Sequence, residues 1–193
     1  MNTADSILQT ALSEFAERGY SGTSLNTIAN EVGIKKPSIY NHFKNKEALF
    51  EAVVKKVYVD YMQTLKIEID KAPSAEAGLK SILWGLANYL SDAEEGKFYM
   101  RYILFPPEAL ADVVNRTFMQ FEEDCNKLFL PVINRLELSP DVTDEEALDA
   151  LYCLLDGWTV QTLYYSHDIV LRKREASWKV FMEGVSRKES KGS

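Results

Sequence analysis

The stretch from Ser24 to Lys46 (Ser-Leu-Asn-Thr-Ile-Ala-Asn-Glu-Val-Gly-Ile-Lys-Lys-Pro-Ser-Ile-Tyr-Asn-His-Phe-Lys-Asn-Lys) constrains this chain more than any other. Ser24 is an N-cap residue, Leu25, Ile28, Ala29 and Val32 recur at helical spacing, and Gly33 can take the positive φ of a sharp turn. Lys36-Pro37 then opens a second short helix, since proline at the first helical position gives up an N–H that had no partner. Ile39 and Phe43 face inward from it, and Ala29 is small enough for two helices to cross steeply around a tight turn. The pattern predicts a helix-turn-helix.

On the outer face of the second helix stand Lys35, Lys36, Ser38, Tyr40, Asn41 and His42, followed by Lys44 and Lys46. Each can donate hydrogen bonds and none is acidic. Lys46 opens the next helix, where the helix dipole disfavours a cation, so a phosphate would suit it. The chain carries a net charge of −7, yet residues 1–50 hold five acids and five bases, and four of those bases fall between Lys35 and Lys46 with no acid among them. An acidic body with a local basic patch is compatible with a small DNA-reading head.

The rest of the chain reads as helices. Residues 3–18 are amphipathic, with Ile7, Leu8, Ala11, Leu12 and Phe15 on one face and Gly19 as the stop. Asn45 caps a long helix to about Lys71, read as a rigid connector, and Ala72-Pro73-Ser74 breaks the chain before a helix over 75–91. Gly96 is expected in a connection and Phe98 to Phe105 in a brief aromatic helix closed by Pro106-Pro107. Residues 108–137 follow, with a kink or break expected near Lys127 to Leu130 because Pro131 interrupts the pattern. Thr143-Asp144-Glu145-Glu146 is a capping box opening a helix to about Ser166, and a last helix spans about 169–187. No strand pattern and no repeat is visible. The expectation is an all-α fold of about nine helices, divided into a head (1–46), a larger domain (47–187) and a disordered tail (188–193).

Composition narrows the functional classes. No run approaches the ~20 apolar residues of a membrane span and no signal peptide is recognisable, so a cytoplasmic protein is expected. Cys125 and Cys153 lie in apolar helical patterns and read as buried free thiols rather than a disulfide or a metal site with His167. The only histidines are His42 and His167, and phosphate loops, zinc signatures and paired-carboxylate motifs are missing, so neither an enzyme nor a cofactor or metal is expected.

Phe15-Ala-Glu-Arg-Gly-Tyr20, Gly22-Thr-Ser-Leu25, Ile28-Ala29, Val32-Gly33, Ile39-Tyr40-Asn-His-Phe-Lys44 and Lys46-Glu-Ala-Leu49 together resemble the N-terminal signature of TetR-family transcriptional regulators over the first fifty residues. The resemblance implies a homodimer whose heads bind palindromic double-stranded operator DNA and whose larger domains bind a small effector that lowers DNA affinity. Matched position by position, it implies that Thr23 and Ser24 contact phosphate, that Lys36, Pro37, Ser38 and Tyr40 reach the major groove or its edge, and that His42 and Lys46 clamp phosphates. Two departures stand out: residues 1–5 contain no basic arm, and Asn41 stands where the family commonly has an aromatic.

Two recognition helices on a two-fold dimer must lie roughly 34–36 Å apart, or a multiple of that, to enter successive major grooves. An effector preferring a splayed form by ~2–3 kcal/mol would shift the equilibrium by one to two decades, with the helix from Asn45 tilting the head. Aromatic candidates for a mostly apolar effector pocket are Trp84, Tyr89, Phe98, Tyr99, Tyr102, Phe105, Phe118, Phe121, Tyr152 and Tyr164, each of which is equally consistent with a core role. Asp156, an acid on an apolar helix, needs a partner: a cationic ligand group, or an arginine or backbone N–H across a dimer. Asn88, Arg101, Gln120, Cys125 and His167 are weaker polar candidates. The expected dimer surface is the stripe Leu148, Leu151, Leu155, Trp158, Thr162 and Tyr165 with Trp178, Phe181, Met182 and Val185, unless these residues complete the core of one chain. A helical ligand-binding or protein-interaction module without DNA binding is the alternative function.

Overall fold

Capping residues set most helix starts. In the computed structural model, which describes residues 2–92, 94–102 and 106–186, Asn2 and Asp5 form a capping box at the start of α1 (Thr3–Gly22). Ser24 Oγ accepts from Thr27 N at 3.0 Å to begin α2 (Leu25–Val32), which ends at Gly33 in the left-handed conformation, φ 76° and ψ 29°. Pro37 pre-sets the first turn of α3 (Lys36–Tyr40). Asn45 Oδ1 accepts from Ala48 N at 2.7 Å for α4 (Lys46–Lys71), and Ser74 Oγ from Ala77 N at 3.1 Å for α5 (Ala75–Asp92). The helices α6 (Glu94–Tyr102), α7 (Ala111–Ile133), α8 (Asp144–Gln161) and α9 (His167–Val185) follow, α8 beginning at the expected Thr143–Glu146 capping box.

Four local expectations change. Gly96 is buried inside α6 instead of lying in a connection. Pro131 does not break α7, which runs on to Ile133, because the proline falls in the last turn and removes a single hydrogen bond there. The helix α8 stops at Gln161, where Thr159 and Thr162 hydroxyls donate to the carbonyls of Leu155 and Thr159 and the Thr162 N–H bonds the Thr159 carbonyl, tightening the final turn. Cys125 is buried, but Cys153 is exposed. Phe105 and the 188–193 tail lie outside the described residues.

The chain packs as two compact units. The first comprises Met1–Gln63 and Tyr89–Glu122, so the three-helix head is packed together with the first part of α4, with α6 and with the first part of α7. Phe50 is fully buried at its centre, with ring centroids 5.4 Å from Phe15, 5.4 Å from Tyr20, 5.5 Å from Phe98 and 5.0 Å from Tyr102. The second comprises Thr64–Asn88 and Glu123–Ser193, with Leu79, Ile82, Leu83, Phe129, Ile133 and Leu151 in its interior. Beyond α7 the chain returns to the end of α9, where Ser139 N donates to Val185 O at 2.8 Å.

Gly19 interrupts α1 with φ 79° and ψ 163°, a region essentially closed to side chains, and a Cβ there would lie 2.6 Å from Nη2 of Arg101. Gly85, within α5, has open space around its Cβ position. Gly19→Ala is expected to cost about 1–3 kcal/mol, lowering the melting temperature by roughly 3–10 °C, whereas Gly85→Ala raises it slightly through helix propensity. Thermal unfolding followed by circular dichroism checks both.

Candidate nucleic-acid interface

The helix-turn-helix is held from behind. Ile28 and Ile39 are fully buried and Ala29 nearly so, while Val32 and Phe43 pack against the same core. Ile34 N donates to Ala29 O at 2.9 Å, closing the turn after Gly33, and His42 N and Phe43 N both donate to Ile39 O at 2.9 Å. With the apolar side spent on the core, Lys35, Lys36, Pro37, Tyr40, Asn41 and His42 are exposed and Ser38 is half-buried. Tyr40 is 50% exposed, a large ring left in water on the same side as the lysines. The His42 ring rests beside Phe43, centroids 6.3 Å apart.

Three residues depart from the roles the resemblance implied or acquire a second one. Thr23 is 2% exposed, its hydroxyl donates to Glu14 O at 3.0 Å, and its N–H is taken by the carbonyls of Gly19 and Tyr20, so no donor of Thr23 is left for a phosphate. Ser24 is exposed, with its hydroxyl occupied at the α2 N-cap by Thr27 N and Thr27 Oγ1. Lys46 holds Nζ 4.2 Å from the Tyr20 ring centroid, and burial pulls its pKa below the ordinary lysine value. This cation–π contact accounts for a lysine at an unfavourable helix start without invoking DNA.

Arg101 is the residue whose role the sequence does not betray. Its Nη1 donates to Ala16 O at 3.1 Å and Glu17 O at 3.2 Å, capping the carbonyl end of α1 before Gly19 turns the chain. Tyr102 adds a bond from its hydroxyl to Phe15 O at 3.1 Å. A cleft of about 340 Å³ opens beside this contact, lined by Arg18, Tyr20, Arg101 and Leu110 among others. A helix C-terminus attracts a cation, but the pairing of residue 101 with residues 16 and 17 is long-range and invisible to local pattern.

The aromatic candidates for an effector pocket separate between the two units. Phe98 and Tyr102 are core of the first unit, Tyr99 and Phe118 pack against that core, Phe121 stacks on Tyr58 at 4.3 Å, and Tyr89 lies 5.3 Å from Tyr61. Burial, with Glu95 and Asp60 nearby, pushes the Tyr89 phenol well above its ordinary pKa. In the second unit the Trp84 ring meets Trp158 and Trp178 edge-on at 5.0 and 6.2 Å, and Tyr152 donates to Asn126 Oδ1 at 2.7 Å. Tyr164 is 75% exposed in the turn after α8. Asp156 stands on the exposed side of α8, so it does not require a buried partner; crowding by its neighbours still raises its carboxyl pKa.

The stripe expected at a dimer surface faces inward. Leu148, Leu151, Leu155, Trp158, Trp178, Phe181 and Val185 are all buried within one chain, Thr162 and Met182 are half-buried, and Tyr165 is exposed beneath Lys173. A 3.5-to-3.6-residue stripe marks a buried face without saying which surface buries it.

Residues 7–53 match the family described as bacterial regulatory proteins, tetR family. Over that stretch the chain is similar to the TetR family. Among its relatives, the biofilm operon icaADBC HTH-type negative transcriptional regulator IcaR of Staphylococcus aureus is 26% identical over 164 residues, spanning 83% of this chain and 84% of the relative. The fold is shared with a TetR-family protein from Vibrio parahaemolyticus (TM-score 0.71, 19% identity, 97% of this chain and 100% of that one). It is shared as well with the regulator FadR from Bacillus subtilis, solved in complex with stearoyl-CoA (TM-score 0.71, 16% identity, 93% and 98%). The matched stretch contains the helix-turn-helix formed by α2 and α3. Among the described residues no helix is long and apolar enough to cross a membrane and no cluster of His, Cys, Asp and Glu could hold a metal.

Thr23 and Lys36 separate structure from contact. Thr23→Val removes a buried hydrogen bond and is expected to cost about 1–2 kcal/mol, or roughly 2–6 °C in melting temperature, while the exposed Lys36→Ala leaves it within about 1 °C. Differential scanning calorimetry of the two variants distinguishes these roles.

Proposed function

We propose that the protein is a repressor that binds palindromic operator DNA as a homodimer and releases it when a small, mostly apolar effector binds. The observation that carries this reading is the outer face of α3: Lys35, Lys36, Tyr40, Asn41 and His42 are exposed together, no acid interrupts them, and the opposite face is fixed by Ile39. Repression is supported by the relative IcaR, described as a negative regulator, and effector binding by the stearoyl-CoA complex of FadR. Within this reading residues 1–46 form the DNA-reading head and residues 47–187 the effector-binding and dimerisation domain, in a protein of the cytoplasm. Lys36, Pro37, Ser38 and Tyr40 read the groove, while Ser24, Lys35, Asn41, His42 and Lys46 engage the backbone; Thr23 is omitted because its donors are used internally.

The dimer surface lies on the outward sides of α8 and α9. Cys153 and Gly157 on α8, and Ile169, Ala176, Val180 and Gly184 on α9, are exposed at helical spacing, and Gly157 and Gly184 have nothing within 4 Å of a Cβ. Val180 is 68% exposed, an apolar side chain that only a partner would cover.

Operator sequences selected from random DNA should be inverted repeats with half-sites one helical turn apart, bound by two chains. In fluorescence anisotropy across a salt series, Lys36→Ala and Lys46→Ala should each weaken binding and reduce the log–log salt slope by about 0.9, the signature of one lost phosphate contact. No selected DNA, or affinity indifferent to both substitutions, refutes the reading.

A further inference from the structure

Arg174 is the least satisfied charged group among the described residues. It lies on α9, is 2% exposed, and its Nε is buried without an acceptor. Among the described residues no carboxylate pairs with it, and no oxygen accepts a hydrogen bond from its guanidinium. Burial depresses its pKa. Arginine cannot escape by shedding its proton, as a buried lysine can. The Trp158 ring, whose centroid is 5.9 Å from Cζ, offers a distant cation–π contact that offsets only a fraction of the cost of an unpaired buried charge.

The surroundings are fixed and offer no internal partner. Trp158 Nε1 donates to Ser177 Oγ at 2.7 Å, and Ser177 Oγ donates to Arg174 O at 3.1 Å, so the nearby serine is already committed. Trp84 braces both Trp158 and Trp178 edge-on. Three residues beyond Trp158, at the end of α8, Gln161 Oε1 is also buried without a donor. The same unit therefore holds a buried cation and a buried acceptor without partners, and no hydrogen bond joins the two. Orphaned groups of this kind are rare in folded proteins, and each calls for an explanation.

We propose that Arg174 is the binding site for the anionic group of a small molecule, a carboxylate or a phosphate ester, held by the guanidinium beside Trp158. This deepens the proposed function by giving the effector's chemical class, an anionic amphiphile, and for its regulatory meaning it rests on that reading. Arginine suits the task because its planar fork can meet two anion oxygens at once. A side chain from a second copy is a poorer occupant, since Arg174 is 2% exposed within one chain.

Direct binding to the full-length protein, without DNA, tests this by thermal shift and isothermal titration calorimetry. Octanoate and octyl phosphate serve as anionic probes, octanol and octylamine as neutral and cationic controls of the same length. At least one anion should raise the melting temperature saturably while the controls do not, and the better of the two anions identifies carboxylate or phosphate as the preferred group. Arg174→Met should weaken that binding at least tenfold yet leave the unliganded melting temperature equal or higher, because no carboxylate is orphaned by its removal. Arg174→Lys, which keeps the charge and loses the fork, should bind with intermediate affinity. The proposal is overturned if neither anion binds, if octanol stabilises as well as octanoate, if Arg174→Met binds anions like the wild type, or if Arg174→Met lowers the unliganded melting temperature by several degrees. Operator binding intact with these failures leaves the regulator reading standing; anion binding without any operator binding removes that reading and keeps the site.

Discussion

The DNA-reading head depends on how α1 ends. Arg101 places its guanidinium on the carbonyls of Ala16 and Glu17, Tyr102 bonds the carbonyl of Phe15, and Gly19 turns the chain where any Cβ would strike the arginine. Three successive carbonyls at the exposed end of a helix are thereby satisfied by the two last residues of α6. Cation and helix C-terminus attract, and each such bond contributes roughly 0.5–1.5 kcal/mol at a partly exposed site. Beneath them the Phe15, Tyr20, Phe50, Phe98 and Tyr102 rings make edge-on and tilted contacts that bind α1, α4 and α6 into one unit. The helix-turn-helix is thus anchored through its first helix, leaving α3 free of structural duty on its outer face.

That division explains the charge distribution. A chain of net charge −7 gathers Lys35, Lys36 and Lys44 where the core has no claim on the side chains. Lys46 is the partial exception, because Tyr20 lends it a cation–π partner and ties the start of α4 to the end of α1. The neutral Thr23 is withheld from DNA, since the turn between α1 and α2 consumes both of its donors.

Helix starts were legible because capping is local: Ser24, Asn45, Ser74 and Thr143 each cap where their sequence context says they should. Helix ends were less legible. The helix α8 stops short of Ser166 through threonine hydroxyls bonding back to their own helix, which no hydrophobic period records. The same limit explains the dimer stripe: periodicity groups Leu148, Leu151, Leu155 and Trp158 on one face but is silent on whether a chain buries that face itself. In the sequence Arg101 reads only as a weak ligand candidate and Arg174 carries no signal, for one reason. A charged residue's partner, or its lack of one, is a property of tertiary structure.

Attachment of the head through Arg101 is the claim on which the account of DNA binding turns. Operator affinity of Arg101→Met, measured by anisotropy over a salt series beside the wild type, tests it most directly. Loosening the head without removing any DNA contact should weaken binding by about tenfold, ~1.4 kcal/mol, at every salt concentration while the log–log slope stays the same. Wild-type affinity in the variant, or a slope reduced by about one, would contradict it: the first would mean the α1 anchor is dispensable, the second that Arg101 itself touches the DNA backbone.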